Sequence, residues 1–332
     1  ALTYYEQAKQ MQQSFVDSRP TTDDLRALGN TWNAIGYTER QLDSRTAALE
    51  AFEEALALRR RTVAESQSWQ DKRRVANTLM NIGLMHSATG DFAEAKATFM
   101  EAQSLREDLL KREPNKQIAE DHARGAYNLA NLILDWTESE DRDLSDADYE
   151  EAVRNLEQAV GRFRDLIEGQ TTANVSNRHR YAISLRLLGD LYRDLDDARA
   201  AYEQARDTMH ALMVQNPQVP SYALQLAYLY IALGGVDFDE EAYPSMLQHY
   251  DSAMEHLEPL SDSDPSAELM LAVALREHAR AKLALKQAGA MDDVRRAMEL
   301  LKAIRERHPH LREKCDIELD DAQQIIDEAG GC

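Results

Sequence analysis

The sequence predicts an all-α solenoid of antiparallel helical hairpins, with a repeat of about 47 residues. Three observations carry that expectation. The chain is rich in Ala, Leu, Glu, Gln and Arg, all strong helix formers, and lacks alternating β-branched runs. Its 332 residues, 43% hydrophobic and 29% charged, exceed the size at which one compact core usually keeps growing. A large residue recurs at Tyr5, Phe52, Phe99, Leu156, Tyr202, Tyr250 and Met298, and three positions later come Ala8, Ala55, Ala102, Ala159, Ala205, Ala253 and Leu301. Successive members are separated by one near-constant step, lengthened only between Phe99 and Leu156, as in helical repeat arrays.

Contact explains the residue types. A small residue on the first helix (Gly36, Gly83, Ala130, Gly189, Ala227) lets the second helix approach closely. The large residue on the second helix fills the space between hairpins, and spacings of three and four keep both on one face. Neither helix alone can bury that face, so units stack and these positions become core.

The elements follow in order, as one solenoid over 1–332. Residues 2–18 match only the second half of a unit, a truncated repeat. The start at Ala1 rather than Met fits a piece of a longer protein. Residues 22–60 carry Trp32, Ile35, Gly36, Ala48, Phe52 and Ala55. Residues 71–112 carry Leu79, Ile82, Gly83 and His86, a break at Gly90, then Ala95, Phe99 and Ala102. In 118–168, Ala126, Leu129 and Ala130 keep the register, and TESEDRDLSDAD (137–148) enlarges the unit, with Ser145 as a helix cap and Asp148 three positions on.

Residues 175–215 hold Leu185, Leu188 and Gly189 before a tight turn, RDLDD (193–197), and 220–258 contain a turn lengthened by GVDFDEE (235–241). Residues 266–308 open after Asp264 and Pro265, with Lys282 where a small residue is expected. Pro309 ends that helix. Residues 311–328 form a terminal helix, either the first half of another unit or a cap.

Composition narrows the function. There are 38 basic against 59 acidic residues, a net charge of -21, which disfavours nucleic acid and anionic membrane surfaces. The densest basic spots, RRR at 59–61 and DKRR at 71–74, sit near helix ends. No apolar stretch is long enough to span a bilayer. Cys315 and Cys332 form no metal-type pair and fit a reducing cytoplasm, Cys315 as a structural cysteine. Nine histidines include the pair His249 and His256, but no metal-ligand motif, nucleophile elbow, P-loop or dinucleotide fingerprint is present. Neighbouring acids such as Glu53 with Glu54 or Asp292 with Asp293 read as solvated surface. No enzyme, metal or cofactor is expected.

The pattern large, Leu, small, aromatic, then Ala, aromatic, Ala resembles the tetratricopeptide repeat family. Trp32, Ile35, Gly36, Ala48, Phe52 and Ala55 match it, as do Leu79, Ile82, Gly83, Ala95, Phe99 and Ala102, and again Leu185, Leu188, Gly189, Tyr192, Ala198, Tyr202 and Ala205. The usual family unit is shorter, at about 34 residues. The lengthened form, with tails such as ALALRRR and AQSLREDLLKREPN, is similar to kinesin-light-chain-type repeats and to the repeat tails behind serine/threonine kinase domains in some bacteria.

The resemblance implies a right-handed superhelical, non-catalytic scaffold whose first helices line a concave groove for a peptide or partner helix. It further implies a regulatory or recruiting region of a larger signalling protein. The groove positions are Asn33 and Tyr37; Asn77, Met80, Asn81 and Leu84; Arg124, Tyr127, Asn128 and Asn131; Arg186, Asp190 and Arg193; and Leu224 and Tyr228. Their asparagines either grip peptide backbone, offering both donor and acceptor, or stitch adjacent units. The basic carboxylate clamp of chaperone-binding members is matched in part by Arg124 and Asn128, while Asn77 and Met80 stand where Lys would be wanted. The alternative to a peptide scaffold is an architectural spacer or self-association module.

Overall fold

The computed structural model describes residues 1–18, 20–168 and 174–330. Among them are fourteen α-helices, one 3-10 helix and no strand. The chain divides into two compact units, residues 1–172 and 173–332. In the first, α1 (Leu2–Ser18) packs on α2 (Thr22–Gln41), which pairs with α3 (Arg45–Ser66); α4 (Trp69–Thr89) pairs with α5 (Phe92–Arg112), and α6 (Lys116–Ser139) with α7 (Asp146–Ile167). In the second, α8 (Val175–Leu191) pairs with α9 (Leu195–Gln215), α10 (Pro220–Asp239) with α11 (Tyr243–Ser261), and α12 (Pro265–Ala284) with α13 (Ala290–Arg307); α14 (Arg312–Gly330) closes on α13.

Local chemistry sets the helix ends. Thr21 and Asp24 form a reciprocal capping box at α2. The hydroxyls of Ser68 and Ser145 accept from the backbone N–H of Asp71 and Asp148. Asp264 caps α12, where Pro265 occupies the first turn. Gly90 ends α4 at φ +85°, a left-handed conformation that costs glycine nothing.

Each of four hairpins is closed by a ring on a bare backbone. A Cβ built on Gly36 would lie 2.6 Å from the Phe52 ring and one on Gly189 2.5 Å from Tyr202, while one on Gly83 would overlap the Phe99 ring more deeply still. In the fifth hairpin the small residue facing Tyr250 is Gly234, at 2.7 Å, and not Ala227. Ala227 is buried two turns earlier. Spacing along the chain explains the correction: Gly234 stands as far before Tyr250 as Gly36 before Phe52 and Gly83 before Phe99. The alanines of the second helices (Ala55, Ala102, Ala159, Ala205, Ala253) are fully buried.

Three further local expectations change. GVDFDEE is not a lengthened turn. Residues 235–239 complete α10, because Val236 and Asp237 are buried and Asp237 is held by Arg199 (2.8 Å) and His249 (2.6 Å). Tyr5, in the register of Phe52, is 37% exposed: it shares a face of α1 with Gln12 and Val16, yet only Val16 is buried there, while Gln12 accepts from Thr31 of α2. Arg59, in the basic RRR run read as near a helix end, is buried within α3, which runs on to Ser66.

Candidate functional site on the first helices

In the first unit, paired acids and arginines tie successive first helices together. Asp71 on α4 receives Arg26 of α2 at 2.9 and 3.1 Å and Arg74 at 2.5 Å, along with the hydroxyls of Ser66 and Ser68. The Arg26 contact, followed by the hydroxyls and Arg74, holds its carboxyl well below the usual carboxylate range against the opposing effect of burial. One hairpin on, Asp121 of α6 receives Arg73 of α4 at 2.5 Å and its neighbour Arg124 at 2.6 Å. Arg124, expected to face an acidic partner, therefore already shares a carboxylate within the chain.

Further along the same helices lies a hollow of about 230 Å³ lined by Tyr37, Arg40, Asn77, Met80, Asn81, Leu84, Arg106, Arg124 and Asn128. Seven of these are groove positions expected from the sequence. The Tyr37 hydroxyl meets the Asn81 amide at 3.1 Å, and its ring stands edge-on to Phe52. Asn77 accepts from Arg106 at 3.0 Å, and Asn128 donates to the Met80 sulfur at 3.2 Å. Leu84 packs at the rim of the core.

Outside the hollow's lining, Asn33 accepts from Arg59 at 3.0 Å, and Asn131 donates to the Tyr127 hydroxyl at 3.0 Å within α6. Two asparagines thus bridge hairpins (Asn81 and Asn128), whereas Asn33 and Asn77 support arginines of their own hairpins.

In the second unit, Asp190 gathers Arg186 (2.6 Å), the Tyr202 hydroxyl (2.9 Å) and the Tyr228 hydroxyl (3.2 Å). Burial pushes its carboxyl up, while Arg186 and the two hydroxyls pull the other way. Burial, with Asp190 nearby, also raises both tyrosines, Tyr202 beyond the ordinary phenol range. The Arg186 guanidinium lies over the Tyr228 ring, 4.7 Å from its centre. Leu224 is partly buried against the core, and Arg193 sits exposed in the turn between α8 and α9. An apolar hollow of about 260 Å³ begins at Tyr228 and continues over Ile231, Leu269, Met270, Val273 and Ile317, with Lys314 and Glu318 at its margin.

The sequence reading missed Arg40, Arg106 and the apolar hollow. Arg106 had a signal, since it follows Arg59 by one repeat length. The apolar hollow had none, because its residues come from three helices without a shared spacing. Among the described residues no set of three His, Cys, Asp or Glu side chains is placed to hold a metal ion, and no helix is long and apolar enough to cross a membrane. Cys315 is buried; Cys332 lies outside the described residues.

The tetratricopeptide repeat family profile matches residues 29–62 and 76–109, the first two full hairpins at the same offset. No curated protein sequence gives a significant match. Among solved structures, the nuclear import adaptor Nro1 of S. pombe aligns with a TM-score of 0.57 and 11% identity, over 90% of this chain and 99% of its own. The apo form of RapI aligns at 0.56 and 13% identity, over 90% and 99%. The apo quorum sensor NprR of B. thuringiensis aligns at 0.50 and 12% identity, over 96% and 79%. At these identities the likeness is one of fold. The chain is a tetratricopeptide-like, all-helical repeat protein.

Proposed function

We propose that this chain is a non-catalytic interaction scaffold that takes an extended peptide or a partner helix along the lining of its first helices. The hollow of the first unit carries the reading. Seven positions named as groove residues line one concavity of amides, arginines and a half-exposed tyrosine. Amides and guanidinium groups suit a polypeptide, whose backbone presents donors and acceptors along its length. The similarity in fold to an import adaptor and a quorum sensor supports a regulatory or recruiting role. We extend the proposal to a cytoplasmic, bacterial setting and a larger signalling protein, such as one with a serine/threonine kinase domain and lengthened kinesin-light-chain-like repeats.

The experiment is selection of a random-peptide display library on the immobilised chain, followed by re-capture with a Leu84→Asp/Asn128→Asp variant whose fold is checked by circular dichroism. Selected peptides should lose capture by the variant. Capture that survives both changes removes this groove assignment, and a triple change at Arg124, Tyr127 and Asn131 then tests the neighbouring stretch.

One observation favours the second reading, self-association. Tyr4, Met11 and Phe15 on α1 are 74%, 66% and 55% exposed and share one helix face with Ala8. Light scattering over a concentration series separates the two. Mass that grows with concentration and is abolished by Met11→Glu supports association through α1, whereas a constant monomer mass removes it.

A further inference from the structure

Arg59 and Arg106 occupy the same place in successive hairpins, two turns after Phe52 and Phe99. At that place the second helices of the third to fifth hairpins carry Phe163, Met209 and Leu257, all buried, and the sixth carries an exposed Arg305. A buried guanidinium here is an exception in an apolar seam, and the two buried ones are solvated by the protein very differently.

Arg59 donates to Asn33 (3.0 Å), Asn30 (3.2 Å), the Arg74 carbonyl (3.2 Å) and the Thr78 hydroxyl. One repeat later those positions are Met80, Asn77, Asp121 and Gly125. Only the Asn77 contact persists for Arg106, at 3.0 Å. Met80 offers no oxygen in place of Asn33, and Gly125 no hydroxyl in place of Thr78. One terminal nitrogen of Arg106, whose counterpart in Arg59 meets Asn33, the Arg74 carbonyl and Thr78, therefore meets no acceptor among the described residues; Nε is unpartnered in both arginines, and the Arg106 side chain is fully buried. Leaving charged donors unsatisfied in this way is costly, and a native chain rarely does so without a reason. Burial lowers the guanidinium to about 10, so it stays charged at neutral pH.

The surroundings select the missing partner. Arg106 borders the hollow together with Arg40 and Arg124, and no Asp or Glu lines it, in a chain whose net charge is -21. We infer that Arg106 is the buried end of a subsite for a carboxylate on the bound polypeptide, an Asp or Glu side chain inside an extended segment. A side chain is favoured over a chain end because amides flank the guanidinium on both sides, Asn81 toward α2 and Asn128 on α6, so backbone can run past in either direction. This inference rests on the groove reading above and assigns it a ligand class; the donor comes from a second helix, beneath the first-helix lining.

The test uses fluorescein-labelled nonapeptide pools, random except for a central Glu or a central Gln, each made with a free and an amidated C-terminus. Fluorescence anisotropy should show wild type preferring the Glu pools about tenfold, the scale of one charge-assisted contact, whether or not the terminus is amidated. Met80→Asn, which returns to Arg106 the acceptor that Arg59 has, should cut the preference to below threefold without loss of folding. Arg106→Met should abolish it. Equal binding of Glu and Gln pools overturns the carboxylate subsite while leaving the groove standing. Preference that vanishes on amidation assigns the site to a chain terminus and overturns the side-chain inference. Absence of binding by all four pools overturns the groove reading and this one together.

Discussion

The Tyr37 hydroxyl on α2 and the Asn81 amide on α4 meet at 3.1 Å across the boundary between two hairpins, with Asn81 buried and Tyr37 41% exposed. The pair joins neighbouring repeats at the edge of the hollow, so the same two side chains brace the stack and shape its lining.

Removing the hydroxyl should therefore loosen the boundary. Tyr37→Phe leaves a buried amide short of a partner and should cost about 1 kcal/mol, and Asn81→Leu a similar amount. In the double variant the losses should not add, with a coupling of about 0.5–1 kcal/mol by urea denaturation. Simple additivity would mean that the contact contributes nothing across the boundary.

The closing of ring on glycine sets a second expectation. A Cβ at Gly83 collides with the fully packed Phe99 ring, so Gly83→Ala should destabilise by about 1–3 kcal/mol despite the better helix propensity of Ala. The third hairpin carries Ala130 and Leu156 at the corresponding positions. Gly83→Ala with Phe99→Leu should accordingly be more stable than Gly83→Ala alone in thermal unfolding.

Arg59 and Arg106 should respond in opposite directions to the same change. Arg59→Met strands four acceptors and should lower the melting temperature. Arg106→Met removes a buried cation with a single acceptor and should be neutral or stabilising, by up to a few kcal/mol, as when ion pairs are replaced by apolar side chains. Calorimetry on the two variants distinguishes the outcomes.

His122 gives a pH dependence. Burial, with Arg162 and Arg106 nearby, lowers its imidazole to about 4 from an ordinary value near 6.5. The unfolded chain binds the proton more readily, so stability is complete above pH 6.5 and falls as pH drops toward about 4, by at most ~3 kcal/mol, where the loss levels off. His122→Gln should flatten the stability profile over that interval. An unchanged slope would place the titrating group elsewhere.

How much was legible depends on whether a residue's role is set by its own helix or by its neighbours. Phe99 and Gly83 declare themselves because one recurring spacing on paired helices brings them together. Asp293 does not. It reads as solvated surface beside Asp292, yet it accepts from Lys282 at 2.8 Å and meets His278 at 2.9 Å, because α12 passes next to it. Arg59 misleads for the same reason: a basic run at a helix end says nothing of the Thr78 hydroxyl that another helix brings to it. Of the candidate site, Asn77, Asn81 and Asn128 stand out as unusual for helix interiors. Which of them bridge hairpins and which support an arginine depends on contacts that the sequence does not spell out.

By itself the sequence determined the helical class, the period and the seam, since these follow from backbone propensity and from apolar residues spaced to one face of a helix. Only the tertiary structure decided that Asp121 is shared between Arg73 and Arg124 and that Arg106 lies buried with one acceptor. Burial and pairing depend on groups that other helices bring alongside, and the free energy of a charge is set by those groups and not by its own position in a repeat.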